Sequence, residues 1–243
     1  MASRSIEQII ERQIRHWDRV AATLRYDPSE PKAPSQAEVS HQPVICISRD
    51  LGSGEGEVVE TLASEINYKI MGKEIIDHIA VDLNVQRRIV DSRDERFHTG
   101  AEALIDSMLK GRDVDNPSYL SALIRVVRGI ALRGGVILLG RGAGEILGDE
   151  APLRVRIIAP MRDRIRRLAA KREISEDEAR AQIERSDRER AQFIRKHFRV
   201  DRGDPTHSDL TLNTSRIPPA KCPAVIIGAL RARGYQIDPH REI

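Results

Sequence analysis

The feature that most narrows what this chain can fold into is a run of four apolar residues, Val44-Ile45-Cys46-Ile47, that breaks into glycines and then into a helical pattern. An unalternated apolar run rich in β-branched residues fits a strand covered on both faces, as in a parallel sheet. The stretch after it, Ser48-Arg49-Asp50-Leu51-Gly52-Ser53-Gly54-Glu55-Gly56, supplies the turn, and Val58, Val59, Leu62, Ala63 and Ile66 then fall on one face of a helix over residues 57–66. Further strands are predicted at 136–139, 154–158 and 209–212, and helices at 118–132, 162–172, 176–198 and 220–233. Strands alternating with helices predict an α/β fold, a parallel sheet wrapped by helices.

Upstream, Ile6, Ile9, Ile10, Ile14, Trp17, Val20 and Leu24 recur at helical spacing, so residues 1–25 form an amphipathic helix. It is a candidate surface for packing on the main domain or for homo-oligomer formation. Residues 26–42, with Pro28, Pro31 and Pro34 among polar residues, suit a linker. The main domain then spans 43–243 and includes an arginine-dense helical lid at about 175–205. Residues 87–117 mix charge with glycine and show weak periodicity. The two cysteines, Cys46 and Cys222, stand far apart and outside any CxxC pattern, which fits a reducing compartment. No apolar run approaches the ~18 residues of a membrane span, and the expectation is a cytoplasmic protein without a membrane partner. A net charge of +3 says little by itself, because the phosphate-attracting fields of local arginine clusters are hidden in the sum.

Three constellations carry chemistry. The glycine loop stands between strand and helix, where backbone N–H groups and the positive helix end cradle phosphate; a tight turn without a ligand is the plain alternative. Against GxxxxGK[ST], Gly54 matches the second glycine, Arg49 stands at the first and Glu55 at the lysine. A carboxylate there repels phosphate unless Arg49 or a distant arginine compensates. Gly52, Gly54 and Gly56 also suit a dinucleotide loop, but no acidic residue ends a clear second strand about 20 residues on. The second constellation is Gly140-Arg141-Gly142 at the end of the 136–139 strand, an arginine presented for phosphate or carboxylate, or for a salt bridge to a loop carboxylate. The third is the arginine-dense helical region of Arg180, Arg185, Arg188, Arg190, Arg195, Lys196, Arg199 and Arg202, either a phosphate-closing flap or a solvated face paired with Glu184, Asp187 and Glu189. The shortage of interleaved aromatics argues against a nucleic-acid surface. No metal-ligand cluster stands out.

These residues, ISRDLGSGEGEVVETLASEI, then LLGRGAGEIL, then the lid segment running into SDLTLNTS, resemble the cytidylate kinase-like family in order and spacing over about residues 44–232. The resemblance implies a P-loop NTPase-type three-layer α/β/α fold with a helical lid. It implies phosphoryl transfer from ATP, with Mg²⁺, to a small phosphorylated acceptor such as cytidine monophosphate, or else a non-catalytic nucleotide sensor on the same fold. By the same resemblance Arg49, Gly52, Ser53, Gly54, Glu55 and Gly56 hold the donor nucleotide, Arg141 holds the acceptor, and Arg185, Arg188 and Arg195 are lid arginines, with Asp187 orienting one of them. Cytidylate kinases proper carry Gly-Lys-Gly-Thr where this chain has Gly54-Glu55-Gly56-Glu57, and an aspartate where it has Gly142.

Overall fold

The computed structural model describes residues 42–73, 76 and 117–237. In chain order these form β1 (Ile45–Arg49), α1 (Glu55–Ile66), β2 (Lys69–Met71), α2 (Pro117–Arg133), β3 (Val136–Leu139), α3 (Ala143–Leu147), β4 (Leu153–Ile158), α4 (Met161–Arg172), α5 (Glu176–Phe198), β5 (Leu210–Asn213) and α6 (Cys222–Ala232). Short 3-10 turns lie at Gly148–Glu150, Pro205–His207 and Pro219–Lys221. The amphipathic helix, all of the linker but Gln42, and all of the weakly periodic stretch but Pro117 fall outside the described residues. Contacts divide the chain into two units, Ser40–Lys73 with Ile124–Ile243, and Met1–Val39 with Glu74–Leu123. In the latter, Ile76, Tyr119, Ala122 and Leu123 are buried.

The former unit contains the sheet. Its five strands lie in the order β2-β3-β1-β4-β5, and every neighbouring pair is parallel. Because parallel strands are covered on both sides, β1 is buried along Ile45, Cys46 and Ile47. On one face Ile45, Ile47, Ile137, Val155, Ile157 and Leu212 meet Val58, Val59, Leu62 and Ile66 of α1 and Cys222, Ile226 and Leu230 of α6. On the other face α3 lies against β1, with Gly144 so close that a side chain there would meet Cys46 Cβ at 3.9 Å. Helices on both faces make the three-layer α/β/α arrangement. Leu62 is fully buried, so Leu62→Ala is expected to remove about 3 kcal/mol of stability, read by urea denaturation.

α4 and α5 pack on each other through a separate cluster of Ile165, Leu168, Ala179 and Ile183. The sequence starts α5 firmly: Ser175 Oγ accepts from the Glu178 amide at 3.2 Å, and the Glu178 carboxylate accepts from the Ser175 amide at 3.1 Å. Acids fill its first turn and Arg195, Lys196 and His197 its last, the order that suits the helix dipole. It ends where Arg199 turns left-handed at φ 58°. No helix among the described residues is long and apolar enough to cross a membrane.

Candidate functional site

β1 lies between β3 and β4, so the chain changes direction across the sheet there, and the loops leaving these strands diverge around a crevice at their carboxyl ends. That crevice holds a cavity of about 230 Å³, floored by Cys46 to Arg49 and walled by Gly140 to Glu145, Arg154 to Arg156 and the inner side of α5. Arg49, Arg141, Arg154, Arg156, Arg190 and Arg202 all line it, with Phe193 and Ile194 as the apolar wall. Two of these come from one strand: β4 alternates buried Leu153, Val155 and Ile157 with half-buried Arg154 and Arg156. In register with Cys46 and Ser48 of β1, both arginines emerge on the cavity face.

The glycine loop sits beside this cavity. Gly52 and Gly54 are left-handed, at φ 80° and 78°, and Gly54 leads into α1 without a side-chain cap. Alternate carbonyls of the loop are gripped from outside. Arg190 Nη1 donates to Arg49 O at 2.9 Å, joined there by Arg202; Arg164 Nε donates to Leu51 O at 2.8 Å, and Thr214 Oγ1 to Ser53 O at 2.6 Å. Because a trans peptide points its N–H opposite its C=O, the Gly52 and Gly54 amides face the other way, and neither donates to an acceptor among the described residues. These are the free donors a phosphate requires, so the loop fits a nucleotide's phosphate chain.

The positive charge that the loop lacks comes from α4. Arg167, fixed by bonds to Thr214 Oγ1 at 2.7 Å and Thr214 O at 3.0 Å, brings Nη1 within 3.5 Å of where a side chain on Gly54 would begin. Lys171 Nζ stands 3.6 Å from the same point on Gly56. Glu55 is turned toward the Ser53 hydroxyl, which donates to it at 3.4 Å.

Charges around the cavity are tightly arranged. Asp50, only 8% exposed, meets Arg202 at 2.8 Å and Arg156 at 3.5 Å. Arg154 pairs with Asp209 at 3.1 Å, and its own amide donates to Asp209 at 2.7 Å. Arg190 is different: burial, with Arg49 and Arg202 nearby, pushes its guanidinium down to about 10. It is charged at neutral pH and would gain from an anion in the cavity. Burial likewise pulls Arg156 below the usual arginine range despite Asp50. Burial, with Glu145 adding to it, pushes the Cys46 thiol up to about 12, so Cys46 is a floor residue and not a nucleophile.

Of the residues singled out from sequence, the structure brings Arg49 and Arg141 to the cavity. Arg49 lies over Gly140, its guanidinium occupying the space where a side chain on that glycine would begin. Arg141, left-handed at φ 51°, sets its guanidinium 5.3 Å from the Phe193 ring. Gly52, Ser53, Gly54, Glu55 and Gly56 form the loop beside the cavity. Arg185, Arg188 and Arg195 are exposed on α5 and do not line it; Arg188 approaches Glu184 at 3.9 Å. Asp187 orients an arginine from α4, Arg164, through paired 2.8 Å bonds. Sequence reasoning passed over Arg154, Arg156 and Asp209, and it set Arg190 and Arg202 aside within the lid cluster. The polar alternation Arg154-Val155-Arg156 inside an apolar strand was the available signal.

With this geometry in place, likeness to known proteins becomes informative. The chain is similar to the cytidylate kinase of Halobacterium salinarum, 28% identical over 196 residues that cover 80% of this chain and 92% of that one. It is likewise similar to the cytidylate kinase of Natronomonas pharaonis, 29% identical over 191 residues, 78% of this chain and 90% of that one. Among solved structures, an uncharacterized protein from Eubacterium ventriosum shares the fold with a TM-score of 0.61 at 19% identity, over 79% of this chain and 99% of that one. The profile described as the cytidylate kinase-like family matches residues 44–216, the span that carries the sheet, the glycine loop and the arginine cavity, and the chain belongs to that family.

Proposed function

We propose that this protein transfers the γ-phosphoryl group of ATP to a nucleoside monophosphate, with cytidine monophosphate the first acceptor to test, yielding ADP and the nucleoside diphosphate. The observation that carries the reading is the pair of free amides at Gly52 and Gly54 beside a cavity lined by six arginines. ATP, when bound, supplies the phosphoryl group. The protein's own part is placement and charge. Gly52 and Gly54 hold the donor's phosphates, with Ser53, Glu55 and Gly56 shaping the loop and Arg167 and Lys171 covering it. Arg141 holds the acceptor phosphate, Arg49 and Arg190 face the gap between the two substrates, and Arg185, Arg188 and Arg195 serve the closing lid.

Mg²⁺, when bound, would arrive on the nucleotide's phosphates and keep much of its water. We place the reaction in the cytoplasm, where ATP and monophosphates meet. A second reading, a nucleotide sensor without turnover, is favoured by one feature, Glu55 at the place of the phosphate-loop lysine.

Calorimetric titration with ATP and Mg²⁺, followed by coupled turnover across the nucleoside monophosphates, separates the two. Binding with acceptor-dependent turnover supports the kinase, and binding without turnover supports the sensor. In the kinase case Arg141→Ala is expected to raise the acceptor KM about 10- to 100-fold, the worth of a hydrogen bond to a charged group, and to leave ATP affinity unchanged. An unchanged acceptor KM would remove Arg141 from the site.

A further inference from the structure

Arg164 is the most deeply buried charged side chain around the site, 5% exposed, and it does not line the cavity. Each of its three nitrogens has a partner. Nη1 and Nη2 each meet an Asp187 oxygen at 2.8 Å, and Nε donates to Leu51 O at 2.8 Å. One α4 side chain thus ties the glycine loop to α5. Three residues beyond Asp187, nearly one turn along the same helix, Arg190 returns to the loop at Arg49 O. Leu51 carbonyl, Arg164, Asp187, Arg190 and Arg49 carbonyl therefore close a ring of hydrogen bonds around two short stretches of chain, residues 49–51 and 187–190.

We propose that Arg164 is a positioning residue, which by holding Leu51 and Asp187 together seats α5, and with it the cavity cation Arg190, on the glycine loop. Lysine in its place keeps the charge but has no planar fork, so it cannot serve both partners in this geometry. Asparagine at 187 keeps the shape and loses the paired acceptance. In either variant the loop and the lid helix lose their common anchor, and each opens on its own.

The mechanical claim stands without turnover; its kinetic arm rests on the phosphotransfer reading. The test uses the full chain with Arg164→Lys, Asp187→Asn and both together, and measures amide exchange over residues 47–56 and 183–195 without nucleotide, then kcat and KM. Both segments are expected to exchange about tenfold faster in each single variant, and no faster again in the double, as for residues acting through one link. kcat is expected to fall about tenfold or more while the acceptor KM changes less than threefold, because Arg190 is displaced from where charge develops and Arg141 is untouched.

Leu62→Ala controls for a merely structural role. It lowers stability through the sheet core and touches neither end of the Arg164 link, so its exchange should rise broadly and leave kcat unchanged below its melting point. Faster exchange in only one of the two segments, additive effects in the double variant, or a folded Arg164→Lys with wild-type exchange would each overturn the proposal. Should the unmodified chain show no turnover, the phosphotransfer reading fails and the exchange result alone decides this one. Asp187→Asn, nearly isosteric, keeps the test valid if Arg164→Lys does not fold.

Discussion

Gly52→Ala is expected to lower the melting temperature by about 10 °C and to abolish nucleotide binding. The glycine stands at φ 80°, where a side chain strains the backbone by about 1–2 kcal/mol. The new methyl would also lie 2.6 Å from the Arg164 carbonyl oxygen. That oxygen belongs to the backbone of α4 and cannot swing aside as a side-chain tip can, so overpacking adds about 1–3 kcal/mol. For a domain near 200 residues, ~3 kcal/mol corresponds to roughly 10 °C. The loop also relieves the clash most readily by turning Gly52, which carries one of the two free amides. Differential scanning calorimetry and ATP titration check both halves, and a melting point within 2 °C of the parent would deny the close approach of loop and α4.

The second large effect is expected at Asp50. Asp50→Ala leaves the half-buried Arg156 and Arg202 without the carboxylate that meets both. Removing one partner of a buried ion pair costs about 3–5 kcal/mol, because the charge left behind has no counter-charge and little water. We expect about 3 kcal/mol here, since both guanidiniums keep a carbonyl partner: Arg156 donates to Arg202 O and Arg202 to Arg49 O. The loss has a signature that a packing defect does not. Sulfate or phosphate should restore part of the stability of Asp50→Ala and help the parent less, because two uncompensated guanidiniums form an anion site. Urea denaturation with and without phosphate measures it, and equal rescue of both proteins would show that Asp50 acts as a turn former instead.

Much of the fold was legible because its signals are local. Val136–Leu139 and Glu176–Phe198 match the structure at both ends; the apolar run is bounded by glycines and the helix by a capping box. Lys69–Met71 was missed because three residues on a half-exposed edge have no period to read. Ala143–Leu147 was missed because five residues barely make a turn and a half. The glycine loop announced itself by position, but the source of its positive charge did not, since Arg167 and Lys171 reach it only after α4 folds back. In α5, the family resemblance singled out Arg185, Arg188 and Arg195. The helical phase of buried Ile183 and Ile194 instead turns Asp187 and Arg190 inward and those three outward. Spacing from the buried isoleucines decides which charges of the helix face the cavity.

The grip on the loop carbonyls has a consequence for how the protein is made. The loop lies at residues 49–54, yet the side chains that hold it belong to residues 164, 190, 202 and 214, the last of them 161 positions downstream. β1 itself gains its second neighbour only with β4. A ribosome making this chain therefore exposes an unfinished phosphate loop until residue 214 has emerged, and contacts so distant in sequence form late. A chain stopped short of Thr214 would carry every glycine of the loop and still lack a site. Competence for nucleotide should appear abruptly, and only once that threonine has left the exit tunnel.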